Sequence, residues 1–239
     1  MKNKVIAVLV LFSCIVTSCT KERLVGEGPV VTETRSLSGF TGVSSGCSGR
    51  VNFRVDPVYK VEVTAQQNIL DVLRTRVVNG VLDIDFKNNV NIRRHEDIVI
   101  NVSAPSAGYF RLSGSGSIYT EGSMATNRLT LEVSGSGSMF LQQAVIAGKL
   151  DARISGSGSM TIAAGSAGNE ELHISGSGNM DFSNLAAAQA ETHISGSGDM
   201  KVNLSQSLDA RISGSGSVYY KGNPLITTHI SGSGKVKPI

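Results

Sequence analysis

The chain repeats one tetrapeptide, Ser-Gly-Ser-Gly, seven times at intervals that shorten from 21 to 18 residues. The copies begin at Ser113, Ser134, Ser155, Ser175, Ser195, Ser213 and Ser231. A period of about twenty residues is typical of a solenoid, in which each unit buries its apolar face only against its neighbours. The Leu and Asn framework of a leucine-rich repeat, which has a similar period, is missing.

Apolar and polar residues alternate on both sides of each tetrapeptide. Apolar residues stand directly before it at Leu112, Val133, Ile154, Ile174, Ile194, Ile212 and Ile230, and two positions after it at Ile118, Met139, Met160, Met180, Met200, Val218 and Val236. A period of two indicates extended strand. Strands that run in the same direction, with no helix between them, predict an all-β protein. The predicted fold is a parallel β-helix with coils of about 20 residues.

Carried through the tetrapeptide, this alternation points both glycines inward and both serines outward. The four methionines that recur two positions after it would then form an inward column. Such a column could bind a soft metal, but an apolar position in strand register favours packing.

Charged residues also recur at fixed positions. Asp151, Glu171, Glu191 and Asp209 stand four residues before a tetrapeptide, and Arg153, His173, His193 and Arg211 stand two residues before it. Stacking would place them side by side as an acidic and a basic column. Such a face is either a binding stripe or carboxylate–histidine site, or a solvated surface with balanced charge. The second interpretation is favoured, because exposed ion pairs contribute only about 0–1 kcal/mol.

The N-terminus has the features of an export signal. Lys2 and Lys4 precede the apolar run Val5–Phe12, and small residues lead to Cys19. This pattern resembles a bacterial lipoprotein signal, with residues 1–18 removed, Cys19 acylated and residues 19–29 acting as a tether. The alternatives are an ordinary signal peptide or an apolar N-terminal helix. No Asp follows Cys19, so an outer-membrane anchor in the bacterial cell envelope, periplasmic or surface-exposed, is expected.

Processing changes the charge and the cysteine count. Without residues 1–18 the chain keeps 20 basic and 19 acidic residues. A net charge near +1 gives no reason to expect a nucleic-acid partner. Cys47 would be the one thiol left, so no internal disulfide can form. Its alignment with a glycine of the repeat predicts a buried, unreactive thiol.

Residues 30–110 are a less regular part of the chain. Strands are expected at Val51–Val55, Tyr59–Thr64, Val81–Phe86 and Ile98–Val102, with a hairpin at Asn79-Gly80 and a helical turn within Gln67–Leu73. We interpret this part as wider coils continuous with the regular β-helix of residues 111–239. The alternative is a separate antiparallel β-domain ending near Pro105.

Several segments together resemble a known family. They are Arg35–Val43, Tyr59–Val63, Asn68–Asp71, Asn79–Ile84 and the repeated Ile-Ser-Gly-Ser-Gly units. With the lipoprotein signal, the chain is similar to Bacteroidetes-type secreted proteins of the auto-transporter adhesin head-domain family, the head GIN domain, over residues 33–236. The resemblance implies a β-helical fold and a cell-envelope location, and it brings no catalytic residues.

The function expected from these observations is a membrane-tethered, non-enzymatic adhesion or ligand-presenting domain. Its partners would be the membrane, through the lipid, and a glycan or surface protein. No catalytic residue, metal ligand or cofactor is expected. The lack of Trp weakens a sugar-stacking surface, although Tyr119, Tyr219 and Tyr220 could form a small platform.

The alternative function is a polysaccharide-binding or polysaccharide-cleaving β-helix protein. Its candidate catalytic residues are Glu171 and His95, the latter in the polar cluster Arg93–Asp97. Acids that recur once per coil form a ladder instead of the pair that a glycosidase requires. A minor alternative is an ice-binding face made by the serine columns.

Overall fold

The repeat units stack as coils of a parallel β-solenoid. The computed structural model describes residues 22–239 except residue 89, so the expected signal sequence and Cys19 lie outside the described residues. Within the described part, strands account for nearly all of the regular structure. The predicted all-β solenoid with coils of about twenty residues is therefore confirmed.

Strands of both orientations make up the N-terminal part. The elements are β1 (Glu22–Val25), β2 (Val30–Thr34), β3 (Gly42–Ser45), β4 (Arg50–Val55), β5 (Lys60–Gln66), α1 (Gln67–Leu70), β6 (Leu73–Val78), β7 (Val81–Phe86), β8 (Val90–Arg94) and β9 (Val99–Ala104). Strands β3 and β4 pair in parallel with β7 and β9, whereas β2–β5, β5–β9 and β6–β7 are antiparallel.

The regular part continues directly from these coils. Its strands are β10 (Tyr109–Gly114), β11 (Ser117–Gly135), β12 (Ser138–Gly156), β13 (Ser159–Ile162), β14 (Gly165–Gly176), β15 (Asn179–Gly196), β16 (Asp199–Gly214), β17 (Ser217–Gly222), β18 (Leu225–Gly232) and β19 (Lys235–Pro238). Every pairing among them is parallel and joins equivalent repeat positions, as where Ile154 lies between Val133 and Ile174. Because β10 and β11 also pair in parallel with β3 and β4, the sheet runs unbroken into the N-terminal part.

Apolar columns fill the interior of the solenoid. Ile154 and Ile174 are each 2% exposed, and Met160 and Met180 are each 1% exposed. Met139, Met160, Met180 and Met200 lie in register on successive strands, which confirms the predicted inward column. Each fully buried side chain of this size stabilises the fold by about 1.5–3 kcal/mol relative to an exposed one.

The two glycines of each tetrapeptide have different roles. The second, Gly158 for example, is buried as predicted. The first, Gly156 for example, is partly exposed, so the prediction that both face inward is wrong for this position. Gly156 has a φ of +124°, and a Cβ there would lie 2.5 Å from the carbonyl oxygen of Gly135 on the preceding coil. The chain turns a corner at this point, in a conformation that is strained for any residue with a side chain.

Two local predictions for the N-terminal part are confirmed. Strands β6 and β7 form an antiparallel hairpin in which Val78 lies opposite Val81. The turn residues Asn79 and Gly80 have φ values of +51° and +77°, as a two-residue hairpin turn requires. The expected helical turn is α1, which buries Ile69 and Leu70.

Part of the segment expected to be a tether is folded against the domain. Strand β1 pairs in parallel with β8, and these two strands form a small sheet of their own. The side-chain amide of Asn68 donates a 2.7 Å hydrogen bond to the carbonyl oxygen of Val25, and its oxygen accepts a 3.0 Å bond from the amide of Glu27. Strand β1 is therefore held by backbone pairing with β8 and, at Val25, by the side chain of Asn68.

Candidate functional site

A groove runs along the solenoid axis between two columns of outward side chains. We call it the axial groove; its volume is about 740 Å³. One wall, the Arg/His column, consists of Arg111, Glu132, Arg153, His173, His193, Arg211 and His229. The other wall, the serine column, consists of the first serines of five of the seven tetrapeptides: Ser134, Ser155, Ser175, Ser195 and Ser213.

Strand alternation places these two columns. In each coil, the residue of the Arg/His column comes directly before a buried residue, as Arg153 comes before Ile154. The residue of the serine column comes directly after it, as Ser155 does. Side chains two residues apart on a strand share a face, so both columns project outward with a strip of backbone between them. Parallel pairing then puts His173 directly between Arg153 and His193 on the neighbouring coils.

Carboxylates hold the Arg/His column from its outer side. These carboxylates, the acidic column, are Asp151, Glu171, Glu191 and Asp209. Arg153 donates to Asp151 at 3.0 Å and to Glu171 at 3.2 Å, so one guanidinium bridges two coils. The predicted acidic and basic columns therefore lie side by side.

The arrangement repeats on the next pair of coils. Arg211 bonds to Asp209 at 3.0 Å and to Glu191 at 3.1 Å. Near the start of the column, Arg111 lies 3.7 Å from Glu132, which also accepts a 3.1 Å hydrogen bond from the Tyr109 hydroxyl.

Two histidines in the middle of the column stack on each other. The rings of His173 and His193 have centroids 4.7 Å apart and planes 7° apart. The Nε2 of His173 lies 2.9 Å from Glu171, and that of His193 lies 2.9 Å from Glu191. Among the described residues, neither Nδ1 has a hydrogen-bond partner, so both stay available to a ligand.

Glu171 is the most strongly bound acid of the acidic column. A hydrogen bond from Lys149, which is the larger cause, and one from His173 lower the pKa of its carboxyl to about 2. Glu171 is thus ionised at every physiological pH. A general acid of a glycosidase needs the opposite shift, a raised pKa that keeps the proton at the working pH.

The serine column presents free hydroxyl groups. No serine of this column hydrogen-bonds through its hydroxyl to another described residue, and all five are exposed. The groove therefore offers a regular series of hydroxyls on one wall and guanidinium and imidazole groups on the other. The residues that line it include three guanidinium groups and one carboxylate, so the side chains that face the groove sum to a positive charge, while the four carboxylates of the acidic column lie behind them.

A buried acid that the sequence analysis did not single out lies beside this site. Glu170 is 3% exposed, and neither of its carboxylate oxygens has a hydrogen-bond partner. Burial raises the pKa of Glu170 to about 8. Its neighbours in register are Leu150 and Ala190, so one acid interrupts an apolar column. Extending the repeat alignment to the fifth residue before the tetrapeptide would have revealed it.

Cys47 is buried, as predicted. Cys47 is 1% exposed, and burial raises the pKa of its thiol. The sulfur lies 3.3 Å from the hydroxyl of Ser45. A protonated, enclosed thiol is a poor nucleophile.

His95 does meet a hydroxyl group. Its Nε2 lies 3.4 Å from Oγ of Ser48, and its Nδ1 lies 2.6 Å from the carbonyl oxygen of Glu96. The second contact is to a backbone carbonyl, so no carboxylate orients this imidazole as in a Ser-His-Asp triad. Ser48 is exposed, and no feature of the sequence linked these two residues.

The tyrosines do not form a common platform. Tyr119 and Tyr219 occupy the same column but are separated by five coil steps through Phe140, Thr161, Asp181 and Lys201. Tyr119 instead stacks on Phe140, with centroids 4.5 Å apart.

The described part of the chain lacks two further features. Across residues 22–88 and 90–239, no group of three or more His, Cys, Asp or Glu side chains could hold a metal ion. No helix in these ranges is long and apolar enough to span a bilayer.

The fold and groove define a class of protein, the parallel β-solenoids that present stacked side chains along one face. Within that class, residues 39–224 match the family described as "Putative auto-transporter adhesin, head GIN domain". The chain belongs to this family, which indicates a protein of the cell envelope or cell surface. Among curated proteins, none matches the chain in sequence.

Solved structures with the same fold come from Bacteroidetes. A protein of Bacteroides fragilis described as a putative adhesin is 23% identical, with a TM-score of 0.82 over 90% of this chain and 100% of that one. A Parabacteroides distasonis protein with the same description is 23% identical, with a TM-score of 0.74 over 91% of this chain and 100% of that one. Another P. distasonis protein, described as a putative lipid binding protein, is 25% identical, with a TM-score of 0.73 and the same coverage.

Proposed function

We propose that this protein is a membrane-tethered, non-enzymatic adhesion domain of the cell envelope that binds its ligand along the axial groove. The groove carries this proposal, because it spans successive coils and lines them with equivalent side chains. Its hydroxyl and Nδ1 groups are unpaired within the described structure. Family membership supports an adhesive role but does not name a ligand.

The site favours binding over catalysis. The carboxylates beside the groove are bound by Lys, Arg and His, and Glu171 keeps its charge because its pKa is low. The Ser48–His95 pair does not line the axial groove, and the other ring nitrogen of His95 contacts a backbone carbonyl and not a carboxylate. These observations support a non-enzymatic domain.

Attachment through Cys19 would hold the groove at the membrane surface. Acyl chains contribute about 0.8 kcal/mol per buried methylene, so two or more chains give a stable anchor. The test is metabolic labelling with a fatty-acid analogue. The unaltered chain should carry label in the outer membrane, the C19A variant should carry none, and the C14A variant should still be labelled.

A glycan and surface-protein array tests the binding role with the purified chain. We expect saturable binding that falls about tenfold or more in the R153Q/H173A/H193A/R211Q variant, since several charge-assisted contacts are lost. The K201Q variant, which removes an ion pair with Asp181 on a different column, is the matched control. Equal binding by the unaltered chain and the four-residue variant would contradict a role for the groove.

The alternative is a polysaccharide-cleaving protein, and the same array distinguishes it. Every glycan that binds is incubated with the protein and its chain length is measured. Intact glycans agree with the proposal. Shortened glycans, together with loss of cleavage in E171Q or H95A, would establish an enzyme instead.

A further inference from the structure

The charge and spacing of the axial groove indicate a ligand class. We propose that the groove binds a linear anionic glycan, a polymer of carboxylated or sulfated sugars, with about one sugar unit per coil. This inference rests on the proposed function, because it names the ligand of the same groove.

The spacing of the groove gives the first reason. Coils of a parallel solenoid advance by about 4.8 Å, the distance between neighbouring strands. Successive members of each wall, such as Ser155 and Ser175, therefore recur at that step along the axis. This step is close to the length of one pyranose unit in an extended glycan. An extended peptide is a poorer fit, because its residues advance by about 3.3 Å and its side chains repeat at twice that distance.

The chemistry of the two walls gives the second reason. The first wall offers guanidinium and imidazole groups, which bind carboxylate and sulfate through charge-assisted hydrogen bonds. The serine hydroxyls of the other wall both donate and accept, as sugar hydroxyls require. Every carboxylate of the acidic column lies on the far side of the Arg/His column. Glu132 is then the one acid among the residues that line the groove.

The scarcity of aromatic side chains gives the third reason. Stacking on Trp or Tyr strengthens the binding of neutral sugars, but no aromatic residue apart from histidine lines the groove, and the chain has no Trp. We therefore expect charge and hydrogen bonds, repeated along the polymer, to supply most of the binding energy. Each unit then contributes a modest amount, and affinity grows with the number of coils engaged.

Cello-oligosaccharides and their C6-carboxylated derivatives test the proposal, because the two series share one backbone and differ only in charge. For the carboxylated series, we expect affinity to rise with each added unit and to level off at about five or six units, when the groove is filled. Affinity should also fall several-fold between 50 and 200 mM salt, because exposed ion contacts are screened. The neutral series should bind at least about tenfold more weakly at equal length.

The repeat supplies a matched pair of variants. S155A/S175A/S195A removes three hydroxyls of the groove wall, whereas S157A/S177A/S197A removes the second serines of the same tetrapeptides, which are exposed but do not line the groove. We expect the first variant to lose about tenfold in affinity and the second to bind like the unaltered chain. Circular dichroism confirms that both are folded.

Equal affinity for the two saccharide series, or equal loss in the two serine variants, would overturn the anionic-glycan proposal. The proposed adhesive function can fail separately. If a protein ligand from the array binds in the groove while the carboxylated glycans do not, the adhesive role stands and the glycan assignment falls.

Discussion

The imidazole rings of His173 and His193, twenty residues apart in the chain, stack face to face with centroids 4.7 Å apart. One coil step of the solenoid separates them, and each ring is oriented by the glutamate two residues before it. The solenoid thus turns an interval in the sequence into direct contact between side chains.

This contact should be measurable as a coupling energy. In a double-mutant cycle on H173A and H193A, we expect a coupling of about 0.5–1 kcal/mol in the free energy of unfolding, as for other stacked aromatic pairs. Urea denaturation of the four proteins provides the values. The control cycle pairs H173A with H229A, whose side chains are three coil steps apart and should be additive. A coupling of equal size in both cycles would show that the stack is not its source.

Glu170 should make the stability of the protein depend on pH. Its pKa is about 8 in the folded state against 4.5 for the ordinary group, so the folded protein keeps a proton that the unfolded chain releases. This difference leaves the free energy of unfolding unchanged below about pH 4.5, and lowers it by about 1.4 kcal/mol per pH unit as the pH rises from there towards about 8.

The E170Q variant should lack this component, because glutamine does not titrate. Chemical denaturation at pH 5, 7 and 9 gives the free energies of unfolding. The E170L variant should also be more stable than the unaltered chain at pH 9, since leucine suits the apolar column. E121Q, at an exposed position, is the control and should keep the full pH dependence. If E170Q retains it as well, the titrating group lies elsewhere.

The first glycines of two tetrapeptides allow strain and steric contact to be separated. Gly114 has a φ of +110°, and a Cβ there would have no atom within 4 Å. Gly156 has a φ of +124°, and a Cβ there would lie 2.5 Å from the carbonyl oxygen of Gly135. We expect G114A to lower the free energy of unfolding by about 1–3 kcal/mol through backbone strain alone. G156A should cost substantially more, because the coils must also separate. Equal costs, measured by urea denaturation, would show that stacking does not require the glycine.

The thiol of Cys47 should react only when the solenoid opens. Under native conditions we expect Ellman's reagent to modify it at least about a hundredfold more slowly than in urea, because the residue is 1% exposed and its pKa is raised. A cysteine placed at exposed Ser157 in a C47A background is the reference and should react at once. Rapid native labelling of Cys47 would mean that the N-terminal coils open readily.

The sequence predicted the regular part of the fold in detail, because each coil repeats its local pattern. A period of two around a tetrapeptide of fixed position identifies inward residues such as Ile154 and Met160 and outward residues such as Arg153 and Ser155. The Asn79-Gly80 hairpin and the burial of Cys47 were predicted for similar reasons. These features depend on short-range rules of strand alternation and turn geometry, which one segment carries by itself.

The rest depended on contacts between distant segments, and only the tertiary structure decided it. The sequence did not indicate that β1 pairs with β8, that β5 joins β9 in an antiparallel pair, or that His95 lies beside Ser48. Nor did it show that the outward columns enclose a groove, or that Glu170 lies without a partner in the core. Apart from the first glycine of each tetrapeptide, the repeat alone determined which side of the strand its residues occupy, because alternation is local. Stacking then decided which side chains come into contact. The corners at the first glycines contribute to this, because they set how the faces of successive coils lie against each other.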